Sequence, residues 1–132
     1  MERGVVMAKR FTATDKWEDA WFRQLSPVSK LFWLFLVDRC NVAGVWKTDY
    51  GLASFCIGAP VDAKILNTFT GRIEKLNGNK LWIVGFVEFQ YGCLNEDVHP
   101  HRPVIKILAK YGLLQRVEKA IREGQRDQKL PS

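Results

Sequence analysis

The fold is decided by residues 49–82, which read DYGLASFCIGAPVDAKILNTFTGRIEKLNGNKLW. Asp49 can cap a helix over residues 50–57, and Gly58-Ala59-Pro60 then forms a tight turn, with Gly as a left-handed cap and Pro opening the next helix. Further along, Asn77-Gly78-Asn79 is typical of a hairpin turn. The order helix, turn, helix, hairpin is that of a winged helix-turn-helix.

The second helix of this order is predicted over residues 61–76. Its apolar residues recur at steps of four, four and three, which is helical periodicity, and they are Ile65, Phe69, Ile73 and Leu76. At about 100° per residue these side chains share one face, and the polar residues that point away are Lys64, Asn67, Thr68, Gly71 and Lys75. We interpret this helix as one that enters the major groove of DNA. A solvated face is the alternative, which Asp62 and Glu74 fit better.

The contacts expected at such a helix follow from side-chain chemistry. Lys64, Asn67 and Thr68 would lie nearest the bases or phosphates, and Gly71 would let a phosphate approach closely. Arg72 and Lys75 would contact the flanking phosphate backbone of the DNA.

The wing is predicted from two apolar runs that follow the hairpin turn. Residues 80–84 and 86–89 read as paired strands with a bend at Gly85, and Val45-Trp46 reads as a short first strand. Asn79 and Lys80 would lie at the tip, where they can reach a phosphate or the minor groove.

The remaining chain is divided by its composition. Residues 1–10 are predicted to be a loose leader, residues 11–114 the winged-helix domain, and residues 115–132 a charged extension that is partly helical and then disordered. Helices are predicted from Thr14-Asp15, from Ser26-Pro27 to about residue 40, and over residues 104–111. The fold class is therefore α+β, with a helical core, a small antiparallel wing and an extra C-terminal helix.

The totals limit the function classes. With 132 residues the chain is one domain, and 20 Lys and Arg against 14 Asp and Glu give a net charge of +6, which favours a polyanionic partner. Three widely spaced cysteines do not suggest disulfides, so we expect a reducing cytoplasm. The longest apolar run, residues 31–37, is too short to cross a membrane.

Catalytic and metal-binding patterns are missing from the sequence. It contains no glycine-rich nucleotide loop and no GxSxG, and Cys56 reads as a small core residue rather than a nucleophile. His99 and His101 are interpreted as loop residues that cap the last helix rather than metal ligands. We therefore expect no enzyme activity, no cofactor and no metal.

The tryptophans are assigned by the faces on which they fall. Trp17, Trp21, Trp33 and Trp82 are predicted to be core residues, whereas Trp46, next to a lysine on a short strand, is predicted to be half exposed. Stacking on single-stranded bases stays a minor alternative, because few aromatic residues alternate with basic ones.

Five segments carry a resemblance to a known family, and they are WFRQLSP (21–27), DRCNVAGVW (38–46), ASFCIG (53–58), FTGRIEKL (69–76) and FQYG (89–92). In this order, over residues 9–114, they resemble the N-terminal winged-helix domain of phage-type replication initiator or replisome-organiser proteins. The resemblance implies a module that binds double-stranded DNA at a phage or prophage origin, with replication proteins such as a helicase loader as further partners.

Family members commonly continue into a second region that contacts those proteins, whereas this sequence ends at Ser132. The resemblance therefore supports DNA binding more directly than loader recruitment. Three alternatives stay open: a transcriptional regulator, a protein-interaction adaptor of the same fold, and a homodimer rather than a monomer.

Overall fold

A computed structural model describes the backbone of residues 9–129 and the side chains of residues 9–125. This part of the chain is α+β, with helices packed around one small antiparallel sheet. The α-helices are α1 (Ala20–Gln24), α2 (Pro27–Arg39), α3 (Tyr50–Ile57), α4 (Phe86–Tyr91), α5 (His101–Lys110) and α6 (Leu114–Lys129). Two 3₁₀ helices, Thr14–Glu18 and Ala63–Phe69, and the strands β1 (Val45–Lys47), β2 (Ile73–Leu76) and β3 (Lys80–Ile83) complete it.

The sheet has the order β1-β3-β2, with both pairs antiparallel. Because side chains alternate along a strand, Trp46 and Leu81 face one side of the sheet, while Lys47, Lys80 and Trp82 face the other. Helix α2 covers the first side, where the ring of Phe32 lies 5.8 Å from that of Trp46. Helix α6 covers the second side, where the Arg116 guanidinium lies 5.2 Å from the Trp82 ring.

The prediction of a helix over residues 61–76 is wrong. Only Ala63–Phe69 is helical, as a 3₁₀ helix capped by Asp62, and Ile73–Leu76 is strand β2. Two local features end the helix. The hydroxyl of Thr70 donates to the carbonyl of Asn67 at 3.0 Å, and Gly71 adopts a φ of +82°, which a helix does not allow.

The predicted hairpin is therefore displaced along the chain. The turn at residues 77–79 is confirmed, with Gly78 and Asn79 at positive φ, but it joins β2 to β3. The strand predicted over residues 86–89 is wrong, because these residues begin α4. Gly85, at a φ of +85°, precedes this helix and redirects the chain away from the sheet.

Three of the predicted helix caps are confirmed, whereas no side chain caps the helix predicted from Thr14-Asp15, which is a 3₁₀ helix after Ala13. The Ser26 hydroxyl accepts from the Ser29 amide at 3.1 Å, the Asp49 carboxylate accepts from the Leu52 amide at 2.9 Å, and Gly58 ends α3 at a φ of +85°. Pro60 does not open the next helix, because two extended residues separate it from Ala63.

The tryptophan predictions are correct in part. Trp82 is buried, and its indole donates to the Ala43 carbonyl at 3.1 Å, while Trp21 and Trp33 pack partly buried against the core. Trp17, predicted to be buried, is 57% exposed. Trp46, predicted to be half exposed, is only 5% exposed, because helices cover its side of the sheet.

The two ends of the described chain are better packed than predicted. In the predicted extension, Val117 and Ile121 are buried in the core, and α6 continues through Gly124 and Gln125 to Lys129, while residues 130–132 lie outside the described range. Of the predicted leader, residues 1–8 also lie outside it. Arg10 is anchored, because its guanidinium donates to the carbonyls of Val37 and Asp38, each at 2.8 Å.

An ion pair ties α6 to the sheet and makes stability depend on pH. The guanidinium of Arg116 donates to both carboxylate oxygens of Glu74, at 2.9 and 2.6 Å, and this hydrogen bonding lowers the pKa of Glu74. A group with a lowered folded pKa stabilises the protein above its unfolded pKa, and this contribution is lost as the pH falls through the folded pKa. Because both side chains are well exposed, 53% and 40%, it amounts to at most about 1 kcal/mol.

We therefore expect Glu74→Gln to lower the free energy of unfolding by up to about 1 kcal/mol at pH 7, measured by urea denaturation. The difference from the native chain should shrink once the pH falls below the ordinary glutamate range near pH 4.3. Glu118→Gln, an exposed position on α6, is the control. A Glu74 effect that is constant from pH 7 to pH 3 would contradict the assignment.

Candidate nucleic-acid interface

Five of the predicted contact residues are exposed in one continuous segment of the chain. We call it the 63–72 surface, and it exposes Lys64, Asn67, Thr68, Gly71 and Arg72. Residues 63–72 include two cations and no acidic residue. The preceding Asp62 is exposed, and its carboxylate accepts from the Lys64 amide at 2.9 Å as the cap of the 3₁₀ helix. The surface therefore presents net positive charge and neutral hydrogen-bonding groups together.

One aromatic anchor holds this surface on the domain. Phe69 is fully buried, and its ring centroid lies 5.9 Å from that of Phe32, 5.4 Å from that of Trp33 and 5.9 Å from that of Trp21. The Trp21 indole also donates to the Thr68 carbonyl at 3.2 Å. A buried ring and a backbone hydrogen bond thus fix the end of the 3₁₀ helix, so that its polar residues stay outside.

Arg72 is held by a second contact with the same tryptophan. Its guanidinium carbon lies 3.9 Å from the centroid of the Trp21 ring, within the range of a cation–π interaction. The side chain is exposed, and a stacked guanidinium keeps its planar set of N–H donors free at its edges. Trp21 therefore orients a group that suits phosphate before any ligand arrives.

Gly71 provides an open approach to this surface. It adopts a φ of +82°, and a Cβ built on it would meet nothing within 4 Å. Glycine is required at this position by the backbone conformation rather than by close packing. The predicted role, close approach of a phosphate, is compatible with this open space.

The other three predicted residues lie at the hairpin. Lys75 is exposed on β2, Asn79 is in the turn at a φ of +57°, and Lys80 begins β3. The Asn79 carbonyl accepts from both the amide and the hydroxyl of Thr48, at 3.0 and 2.9 Å, which ties the turn to the end of β1. Arg72 ends the 63–72 surface, and Lys75 lies three residues further on, within β2.

Sequence reasoning missed the residues that surround Lys80. Lys47 of β1 is directly opposite Lys80 in the sheet register. The ammonium nitrogens of Lys80 and Lys110 each lie 5.5 Å from the centroid of the Tyr111 ring. We call Lys47, Lys80 and Lys110 the lysine cluster. Its members come from three elements that are distant in the sequence, and of the two added to Lys80 only Lys47, beside Trp46 on a strand, gave any signal in the sequence.

Two interpretations of reactive residues are corrected. Cys56 is exposed on α3 rather than a core residue, because the helix turns its other face to the domain. The histidines do not cap α5: the cap position is Pro100, and the His101 ring instead accepts from the Asn95 amide at 3.1 Å, which closes the preceding loop. Over residues 9–125 no three side chains of His, Cys, Asp or Glu are grouped to hold a metal ion.

Within the described range, no helix combines the length and the apolar character needed to cross a membrane. Family models give no match to the chain, and neither curated proteins nor solved structures include a detectably similar one. The function is therefore argued from the site itself.

Proposed function

We propose that this chain is a non-catalytic, cofactor-free module that binds double-stranded DNA, of the phage replication-initiator type and cytoplasmic. The observation that carries the proposal is the 63–72 surface. It is free of acidic residues, it exposes Lys64 and Arg72, and Arg72 is already oriented by Trp21 at 3.9 Å. Phosphate contacts supply most of the affinity of such proteins for DNA, and a preoriented arginine suits them.

The order of elements supports a winged helix-turn-helix arrangement. Helix α2, strand β1 and helix α3 are followed by the second 3₁₀ helix and the β2–β3 hairpin. In this arrangement the 3₁₀ helix occupies the recognition position, and the hairpin is the wing. At about 3.0 residues per turn, the seven 3₁₀ residues make only about two turns, so few side chains can reach base edges in the major groove. We therefore propose contact mainly with phosphates, with few bases read.

Replication proteins such as a helicase loader are the further partners in this proposal, and a homodimer is one form in which the module could bind an origin. One observation favours the alternative role of protein-interaction adaptor. On α3, Leu52 is 44% exposed and Phe55 is 84% exposed, and no charged residue occurs from Tyr50 to Val61. An uncharged, partly apolar face of this kind suits a protein partner better than DNA.

The proposal predicts a salt-dependent affinity that requires two side chains. We expect Lys64→Gln/Arg72→Gln to bind a generic duplex about tenfold or more weakly at low salt, because two phosphate contacts are lost. The slope of log affinity against log salt should become shallower by about 2, since each contact contributes about 0.9. Fluorescence anisotropy of a labelled duplex from 50 to 200 mM salt measures both values.

The matched control is Lys119→Gln/Arg122→Gln, which removes one lysine and one arginine from exposed positions of α6. It changes the net charge equally and should keep most of the affinity. The proposal fails if the native chain does not bind duplex at 50 mM salt. It also fails if the two double variants lose affinity equally, because binding would then reflect net charge alone.

A further inference from the structure

Two lysines from different elements lie at one tyrosine ring, and a third is the sheet partner of one of them. Lys47 and Lys80 are direct partners in the β1–β3 register, so their Cβ atoms are about 5 Å apart on the same face of the sheet. The ammonium groups of Lys80 and Lys110 each lie 5.5 Å from the Tyr111 centroid, which places the two nitrogens within about 11 Å of one another. At physiological salt the Debye length is about 8 Å, so these charges repel one another appreciably only where they are closer than that.

The surrounding side chains do not neutralise this charge. Over residues 9–125 the structure has one ion pair, between Glu74 and Arg116. The Glu74 carboxylate is on the same face of the sheet, but both of its oxygens are taken by that arginine. Like charges directly opposite in a sheet are destabilising, so the lysine cluster weakens the fold unless an anion occupies it.

We propose that the lysine cluster is a phosphate-binding site. Three ammonium groups can each donate to the oxygens of a phosphoryl group, and the Tyr111 ring helps to hold two of them in place through cation–π contacts. The phosphoryl group can belong to a nucleic-acid backbone or to a free phosphate compound. Binding of a nucleic-acid backbone rests on the proposed function, whereas binding of a free phosphate compound does not.

The site lies on the opposite side of the sheet from the anchor of the 63–72 surface. Phe69 packs on Phe32, which also contacts Trp46 on the α2 side. Lys47 and Lys80 instead share a side with Trp82, which Arg116 of α6 covers. A duplex that contacts both places would therefore reach both sides of the sheet, and so more of its backbone than the 63–72 surface alone reaches.

Two measurements test the site. In the first, inorganic tripolyphosphate is titrated while the tyrosine ring signals are followed by ¹H–¹³C NMR, with Tyr50 and Tyr91 as internal references. We expect the Tyr111 signals to shift in the native chain, to stay unchanged in Lys80→Gln/Lys110→Gln, and to shift in the control Lys9→Gln/Lys119→Gln. In the second, the same variants are titrated with labelled duplex, and the cluster variant should lose about tenfold in affinity, with a salt slope shallower by about 2.

A charge-conserving variant separates binding from folding. Lys80→Arg/Lys110→Arg should keep the tripolyphosphate shift, which a purely structural need for lysine would not predict. The proposal is overturned if tripolyphosphate leaves the Tyr111 signals of the native chain unchanged, or if Lys80→Gln/Lys110→Gln responds like the native chain.

The two measurements also keep the two proposals apart. A lost tripolyphosphate response with unchanged duplex affinity would support the site and assign it to free phosphate compounds. A native chain that binds tripolyphosphate at Tyr111 but does not bind duplex would support the site and end the proposed function. Duplex binding that depends on Lys64 and Arg72 but not on the cluster, with no Tyr111 shift, would overturn the site and leave the proposed function standing.

Discussion

We expect Phe69→Ala to lower the free energy of unfolding by about 3 to 5 kcal/mol. The Phe69 side chain is fully buried, and its ring contacts those of Phe32, Trp33 and Trp21 at centroid distances of 5.4 to 5.9 Å. Truncation removes these contacts and leaves a cavity among large, rigid rings that cannot readily collapse into it. Since a domain of this size is stable by about 5 to 15 kcal/mol, the loss is a large fraction of the total.

Urea denaturation followed by tryptophan fluorescence measures this loss, and thermal melting should show a decrease of roughly 10 °C or more. Phe55→Ala is the matched control, because it is the same chemical change at a side chain that is 84% exposed. Its effect should stay within about 0.5 kcal/mol. Equal effects at the two positions would mean that Phe69 does not anchor the 3₁₀ helix to the core.

The anchor also links stability to the candidate site. Phe69 lies between Thr68, whose carbonyl accepts from Trp21, and Arg72, whose guanidinium stacks on that same ring. Loss of the buried ring therefore removes the support from which the 63–72 surface is presented. A site on a short 3₁₀ helix has few backbone hydrogen bonds of its own and depends on such support.

The features that sequence analysis predicted correctly are local ones. The caps at Ser26, Asp49 and Gly58 depend on side-chain or backbone preferences within a few residues, and the structure confirms all three. The turn at residues 77–79 is confirmed for the same reason, because Asn-Gly-Asn favours positive φ without any distant contact.

The features that it missed depend on distant partners. The apolar spacing of Ile65, Phe69 and Ile73 fits a helix, but Ile73 belongs to a strand whose hydrogen bonds go to β3. Gly71 is a local exception, because its φ of +82° marks the break between helix and strand that the apolar spacing conceals. The run at residues 86–89 is short and apolar, and such runs fit a strand and a buried helix equally well.

The candidate site divides in the same way. Exposure of Lys64, Asn67 and Arg72 could be predicted, because polar residues between apolar anchors point outward. The lysine cluster could not be predicted, since Lys47 and Lys110 are 63 positions apart and are brought to Lys80 only by the strand register and by the Tyr111 ring. The stacking of Arg72 on Trp21 could not be predicted either, because no local sequence pattern indicates that these two residues are close.

Gly44→Ala should lower the free energy of unfolding by about 2 to 5 kcal/mol for two separable reasons. Gly44 adopts a φ of +88° at the entry to β1, a conformation that costs an L-residue about 1 to 2 kcal/mol. A Cβ at this position would also lie 2.9 Å from the Cβ of Phe86, which is buried at the start of α4 and cannot rotate away. Overpacking of this kind costs about 1 to 3 kcal/mol.

Gly58→Ala isolates the backbone term, because Gly58 has nearly the same φ, +85°, and a Cβ there would meet nothing within 4 Å. We therefore expect it to lower the free energy of unfolding by only about 1 to 2 kcal/mol. The additional loss of unfolding free energy in Gly44→Ala, measured by urea denaturation of both variants, reports the contact with α4. The backbone at Gly44 could move to relieve the clash with Phe86. The Gly44 carbonyl accepts from the Ile83 amide at 2.9 Å, however, so this movement would also disturb the β1–β3 pairing that sets Lys47 opposite Lys80. Equal losses for the two variants would show that β1 and α4 can separate without disturbing the sheet, and would remove the packing basis for a fixed lysine cluster.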